Sequence, residues 1–163
     1  MKCVTCDNPV PLKQRLATVK YKESGLDNVT LHGVEYHKCD RCGEEYFGYG
    51  DMERLHQLIA GLLIEKKSLL AGKEIRFLRT YLGYSGAVFA KFTDYTPESI
   101  SRMENEKMEI KKTFDRLVRS LVLDKLPDRE YDLHDMWLKE EGKTLKRISL
   151  KVKNDDWVVQ EAA

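Results

Sequence analysis

The sequence predicts an α+β fold. A small antiparallel β unit comes first, an all-α run of short helices follows, and a short C-terminal helix and β-hairpin extension ends the chain. Three observations point this way. All four cysteines fall within the first 42 residues, as two C-x-x-C pairs separated by β-branched and aromatic stretches. From Met52 to Val122 apolar residues recur at helical spacing. Near the end, Ile148, Leu150 and Val152 alternate with polar residues, as in a strand. The expected boundaries are residues 1–68, 69–125 and 126–163.

The composition fits a folded protein. Of 163 residues, 42% are apolar and 34% charged, unlike the balance of a disordered chain. The net charge of +1 favours no class of partner, so any nucleic-acid surface must come from local clustering. The longest apolar run, LIAGLLI at 58–64, is far too short to span a bilayer, and the N-terminus lacks the apolar stretch of a secretory signal. The expectation is a cytoplasmic protein with no membrane partner. No Ser–His–Asp set, phosphate-binding glycine loop or paired-carboxylate motif stands out, and the four histidines are scattered. The chain is therefore expected not to be an enzyme.

The first segment is organised by Cys3 and Cys6 in CVTC and by Cys39 and Cys42 in CDRC. In a C-x-x-C turn both sulfurs can face one point, so two such turns together form a closed tetrahedral thiolate site, which suits zinc. Four thiolates leave no open position, so the metal would be structural. Redox-active dithiols, unrelated free thiols, or His37 replacing a cysteine are the alternatives. The 32 residues between Cys6 and Cys39 exceed a usual zinc-ribbon interval, but RLATVKY and NVTLHGVEYHKC, with turn material KESGLDN between them, fill it as two strands. A unit of roughly 50 residues buries little core, so the metal is expected to carry much of its folding energy.

The middle is helical. Met52, Leu55, Leu58, Ile59, Leu62 and Leu63 mark one amphipathic helix with Asp51 as its N-cap. EKKSLLAGKE, residues 65–74, reads as the domain junction, either a flexible linker or continuous helix. Four short helices then follow. KEIRFLRTYL stops at Gly83, and GAVFAKF begins after the N-cap Ser85. PESISRMEN begins after the N-cap Thr96, with Pro97 at the first helical position and Ile100 and Met103 turned inward. KTFDRLVRSLV buries Phe114, Leu117, Val118, Leu121 and Val122.

Short helices joined by a tight turn describe a helix-turn-helix, whose later helix enters the DNA major groove N-terminal end first. Arg102 would then fork onto a guanine edge and Glu98 accept from a cytosine amino group. An ordinary helical bundle with a surface arginine is the plainer alternative. The stretch KEIRFLRTYLGYSGAVFAKFTDYTPESISRMENEK resembles the Cro/repressor (Xre-type) helix-turn-helix, matching at IRFLR, LGYS, Ala90, Phe92 and TPESISRMEN. The resemblance implies that Pro97, Glu98, Ser99 and Arg102 face the DNA while Ile100 and Met103 are core. Ser85 and Thr96, at the helix starts, and Lys111 complete the expected DNA-binding set; Lys111, Lys112 and Arg116 are read either as phosphate-attracting or as a solvated helix face. Gly86, Asp94 and Glu106 depart from the family, where a glutamine, a glycine and a glycine are frequent.

The order of parts, CVTC…CDRCGEE followed by an Xre-type segment, resembles the MqsA-like antitoxins, with their YgiT-type zinc motif. That resemblance implies a zinc-stabilised homodimeric repressor that binds a palindromic operator in double-stranded DNA. It also implies a toxin protein held by the N-terminal segment, so that the chain is the antitoxin of a type II toxin–antitoxin pair. A stand-alone transcription regulator without a toxin is the runner-up. The remaining tail is expected to hold a helix over REYDLHDMWLKEEG and a hairpin around KNDD. Its first strand turns Arg147, Ser149, Lys151 and Lys153 to one side, either against phosphates or as an edge strand whose lysines block unwanted pairing.

Overall fold

A computed structural model of the chain describes residues 2–7, 13–126, 147–154 and 156–160. The β-branched and aromatic stretches pair as expected. β1 (Lys13–Lys20) and β2 (Val29–Lys38) are antiparallel, with Lys20 opposite Thr30 and Lys13 opposite Lys38. The register slips at Ala17/Thr18, opposite Gly33, which has φ +73°. Glycine takes that left-handed conformation without a side-chain clash, so β2 carries an extra residue there as a bulge. The bulge shifts the inward face from Val29 and Leu31 to Val34, all of them buried.

β3 (Glu45–Gly48) lies antiparallel to the C-terminal half of β2. The expected C-terminal hairpin also forms, as β4 (Ile148–Lys153) and β5 (Asp156–Val159). It does not stand apart. β4 pairs in parallel with the N-terminal half of β2, Val29 opposite Ile148 and Leu31 opposite Leu150. The β unit is therefore a mixed five-stranded sheet built from both ends of the chain, not a purely antiparallel one. Trp157 is buried and donates its indole N–H to the Tyr49 carbonyl at 2.9 Å, tying β5 to the segment after β3. The helix expected over REYDLHDMWLKEEG lies outside the described residues.

Five helices follow the Cys-bearing strands: α1 (Met52–Ile64), α2 (Gly72–Tyr81), α3 (Gly86–Phe92), α4 (Pro97–Glu104) and α5 (Lys112–Lys125). Local chemistry sets their starts. The side chains of Asp51, Ser85 and Thr96 accept from the backbone N–H groups of Arg54, Val88 and Ser99, and Pro97 occupies the first turn. Gly83 ends the α2 region at φ +85°. Asp94 and Glu106 hold left-handed turns at φ +56° and +58° without being glycine.

The inward faces of α1 through α5 and of the sheet form one continuous buried cluster. Val29, Leu31, Leu150 and Trp157 share it with Leu55, Ile59, Ile75, Leu78, Ile100, Phe114 and Val118. Leu117 is an exception, since 37% of it is exposed. At the sheet–helix seam the Tyr21 hydroxyl and His56 Nε2 are hydrogen-bonded at 2.8 Å, and burial pushes the Tyr21 phenol up to about 12 and the His56 ring below its usual value. Helices α2 and α4 approach closely: a Cβ on Gly72 would lie 2.4 Å from the Met103 carbonyl oxygen.

The junction at 65–71 is neither helical nor free. Arg119, on α5, donates to the carbonyls of Ile64, Lys66 and Ser68 at 2.6, 2.7 and 2.8 Å and to the Asp115 carboxylate at 2.7 Å. Asp115 in turn accepts from the Leu70 N–H at 2.7 Å. Glu74 accepts from Lys66 at 2.6 Å and from the Ala71 N–H at 2.7 Å, which satisfies a donor at the start of α2. The exposed-looking Lys66 of EKKS is thus spent on holding the connector. Replacing Arg119 by alanine leaves the Asp115 charge and three carbonyls without their partner. It is expected to lower the unfolding free energy by ~3–5 kcal/mol, as breaking a buried ion pair does. Urea denaturation checks this, and a loss below about 1 kcal/mol, the range of a surface pair, would remove the connector role.

Candidate functional site

The cysteine cluster is built by two tight turns at one end of the sheet. In the second, the Gly43 N–H donates to the Cys39 carbonyl at 2.9 Å and the Cys39 N–H to the Glu44 carbonyl at 3.0 Å. Gly43 has φ +77°, which lets the chain double back into β3 directly after Cys42. The first turn spans Cys3 to Cys6, with Asp7 at φ +50°. The folding of β2 brings the two turns together across the sequence.

The four thiols meet. Cys3 and Cys42 sulfurs are 3.5 Å apart, those of Cys6 and Cys39 3.7 Å, and all four lie within 4.8 Å of one another. No disulfide joins them. Four thiolates held at about 2.3 Å from a tetrahedral metal sit about 3.8 Å from each other, so the spacing fits a metal with four sulfur ligands. Cys3 and Cys39 are buried while Cys42 is exposed, which places the cluster at the surface. His37 does not belong to it; its Nε2 lies 3.8 Å from the Glu35 carboxylate instead.

Two supporting side chains were not evident from the cysteine spacing. Tyr46, on β3, has its hydroxyl 3.3 Å from the Cys3 sulfur and 3.0 Å from the Thr5 hydroxyl. The Tyr46 hydrogen bond holds the Cys3 thiol down at about 6, favouring the thiolate that a metal needs. No sequence signal named Tyr46, which comes to lie across from His37 only when β3 pairs with β2.

The second set of candidate residues centres on α4. Ile100 and Met103 are buried, and Thr96, Pro97, Glu98, Ser101 and Arg102 are exposed on the opposite side, with Ser99 half-buried. The Arg102 side chain forms no ion pair with the described residues. The hydroxyls of Ser85 and Thr96 are engaged as caps, at the starts of α3 and α4 respectively. Lys111 is exposed just before α5. Thr96, Pro97, Glu98, Ser99 and Arg102 therefore share one short helix, and Ser85 and Lys111 sit on separate elements.

What holds α4 in place was missed from the sequence. Glu104, buried at its C-terminal end, accepts from Arg79 at 2.6 and 3.1 Å and from Arg76 at 3.2 Å, both on α2. Arg79 also donates to the Tyr84 carbonyl at 2.8 Å, and Arg76 to the Asn105 side chain at 2.9 Å. An acid directly after the inward Met103, on an otherwise apolar side, was the available clue, because a buried carboxylate needs cationic partners. Among the described residues, no helix is long and apolar enough to cross a membrane.

Loading the chain with metal and then chelating it is expected to free residues 2–7 and 38–47 while the Leu31 and Leu150 amides stay protected, because these strands share the helical core. Hydrogen exchange measures this, and simultaneous loss of protection throughout the sheet would contradict it. Tyr46→Phe should retain metal with roughly tenfold weaker affinity, the usual effect of removing a partner of a metal ligand; unchanged affinity in a competition titration would remove its role.

In comparisons with protein-family models, with curated proteins and with solved structures, nothing matches this chain.

Proposed function

We propose that the chain is a zinc-stabilised, homodimeric, sequence-specific DNA-binding repressor that acts as the antitoxin of a type II toxin–antitoxin pair. The observation that carries the DNA half of the reading is the build of α4. Its inner face is locked by Ile100, Met103 and the Glu104–Arg79 pair, and its N-terminal outer face presents Pro97, Glu98 and Arg102 to solvent. A rigid short helix with a free arginine and small neighbours suits entry into a major groove, with α3 and the turn at Asp94 completing a helix-turn-helix. Arg102 reads a guanine through its two-pronged fork, and Glu98 accepts from a cytosine. Ser85, Thr96, Ser99 and Lys111 position the helix against the backbone. Two copies in a dimer place two such helices in successive major grooves of a palindrome.

Zinc is the metal favoured by four thiolates at this spacing, and its role is to hold the two cysteine turns together. The toxin half rests on the order of parts, a four-cysteine zinc unit ahead of an Xre-like helical segment. The runner-up, a stand-alone regulator, uses the same α4 and the same metal without a protein partner.

Arg102→Ala is expected to relax base preference at one position of each half-site and to cost ~1–3 kcal/mol in operator binding. Selection from a random duplex pool reads the preference. An equal loss on every sequence would contradict base reading. For the toxin, the full zinc-loaded chain is the bait, because β4 and β5 complete the sheet that carries the cysteine turns. Recovery from native lysate of a protein that is toxic alone and harmless with this chain is the expected outcome. Operator binding with no such partner would favour the stand-alone regulator.

A further inference from the structure

The alternation of Arg147, Ser149, Lys151 and Lys153 with Ile148, Leu150 and Val152 has an ordinary explanation in which lysines guard an edge strand. That explanation fails here. β4 is an interior strand, bonded to β2 on one side and to β5 on the other. Its lysines have no edge to protect.

Register shows what they do face. Ile148 and Leu150 are buried with Val29 and Leu31, so the alternate residues of β4 and β2 lie together on the outer side of the sheet. One row across the strands is Lys20, Thr30 and Ser149, and the next is Thr18, His32 and Lys151. The Thr18 hydroxyl and His32 Nδ1, 3.1 Å apart, show that the side chains of the second row meet on this face. Lys20, Arg147, Lys151 and Lys153 are exposed, and none is ion-paired with a carboxylate of the described residues. The acids on this side are otherwise engaged. Glu35 lies 3.8 Å from His37, and Asp156, opposite Lys153, caps the Trp157 N–H at 2.7 Å and lies 3.6 Å from Arg54.

We propose that this outer face is a second contact with duplex DNA that binds the phosphodiester backbone without reading bases. The inference rests on the DNA-binding reading above and extends it to a different part of the molecule. The chemistry is complementary: unpaired ammonium and guanidinium groups supply the charge, and the Thr18, Thr30 and Ser149 hydroxyls supply neutral donors. These rows present no Phe, Tyr or Trp on which unstacked bases could lie, so the face suits a duplex backbone rather than a single strand.

The test is the salt dependence of binding by the full, zinc-loaded chain to two probes, a random-sequence duplex and a duplex selected from a random pool. For Lys151→Gln/Lys153→Gln, the slope of log K against log salt is expected to shrink by about one unit per contacting lysine. The change should be the same on both duplexes, with base preference unaltered. An unchanged slope with binding retained overturns the sheet contact and leaves the role of α4 standing. Failure of the wild-type chain to bind either duplex at about 50 mM salt overturns both.

Discussion

The buried Arg119–Asp115 pair is the constraint on which the arrangement depends. Between the last turn of α1 and the first of α2 the backbone is irregular, and its carbonyls at 64, 66 and 68 point inward. A buried irregular segment is costly unless each polar group finds a partner. One guanidinium supplies donors to all three, its own charge is balanced by Asp115, and Asp115 also takes the Leu70 N–H. The planar fork with its fixed donors makes arginine suited to this task where lysine is not. Because α5 carries both residues, docking α5 and setting the path from α1 to α2 are one event.

That path has consequences for both candidate sites. It brings α2 alongside α4 closely enough that only glycine fits at position 72, and it lets Arg76 and Arg79 reach the buried Glu104. The outward presentation of Arg102 follows from this, since a helix of only eight residues has little stability of its own. In the other direction, α1 packs against β5 and so against the sheet that spaces the cysteine turns. The sheet that carries the cysteine turns and the helices are joined by one core rather than by a tether.

The shared core also limits what a metal at the four thiols would contribute. A self-contained unit of roughly 50 residues would lean on its metal for most of its stability. Here the inner face of β2 is covered by helical side chains, and its edge is extended by β4. A metal held by the four thiols would act locally, on two turns that the sheet already brings near each other.

Much of this protein was legible in order along the chain. The C-x-x-C spacing named the four thiols, β-branched and aromatic richness named β1 and β2, the period of two named β4, and the caps at Asp51, Ser85 and Thr96 marked the helix starts. These are signals carried by residues a few positions apart, so local backbone and side-chain chemistry suffices to express them. What only the tertiary structure decided are pairings between residues far apart. Joining Val29 to Ile148 turned a tail hairpin into part of the first sheet and made β4 an interior strand. Glu104 with Arg79, and Arg119 with the 64–68 carbonyls, look like surface charges in a sequence, because nothing local reveals that their partners are waiting in the interior. Period and capping specify which face of an element is apolar; only the packed core specifies what each face meets.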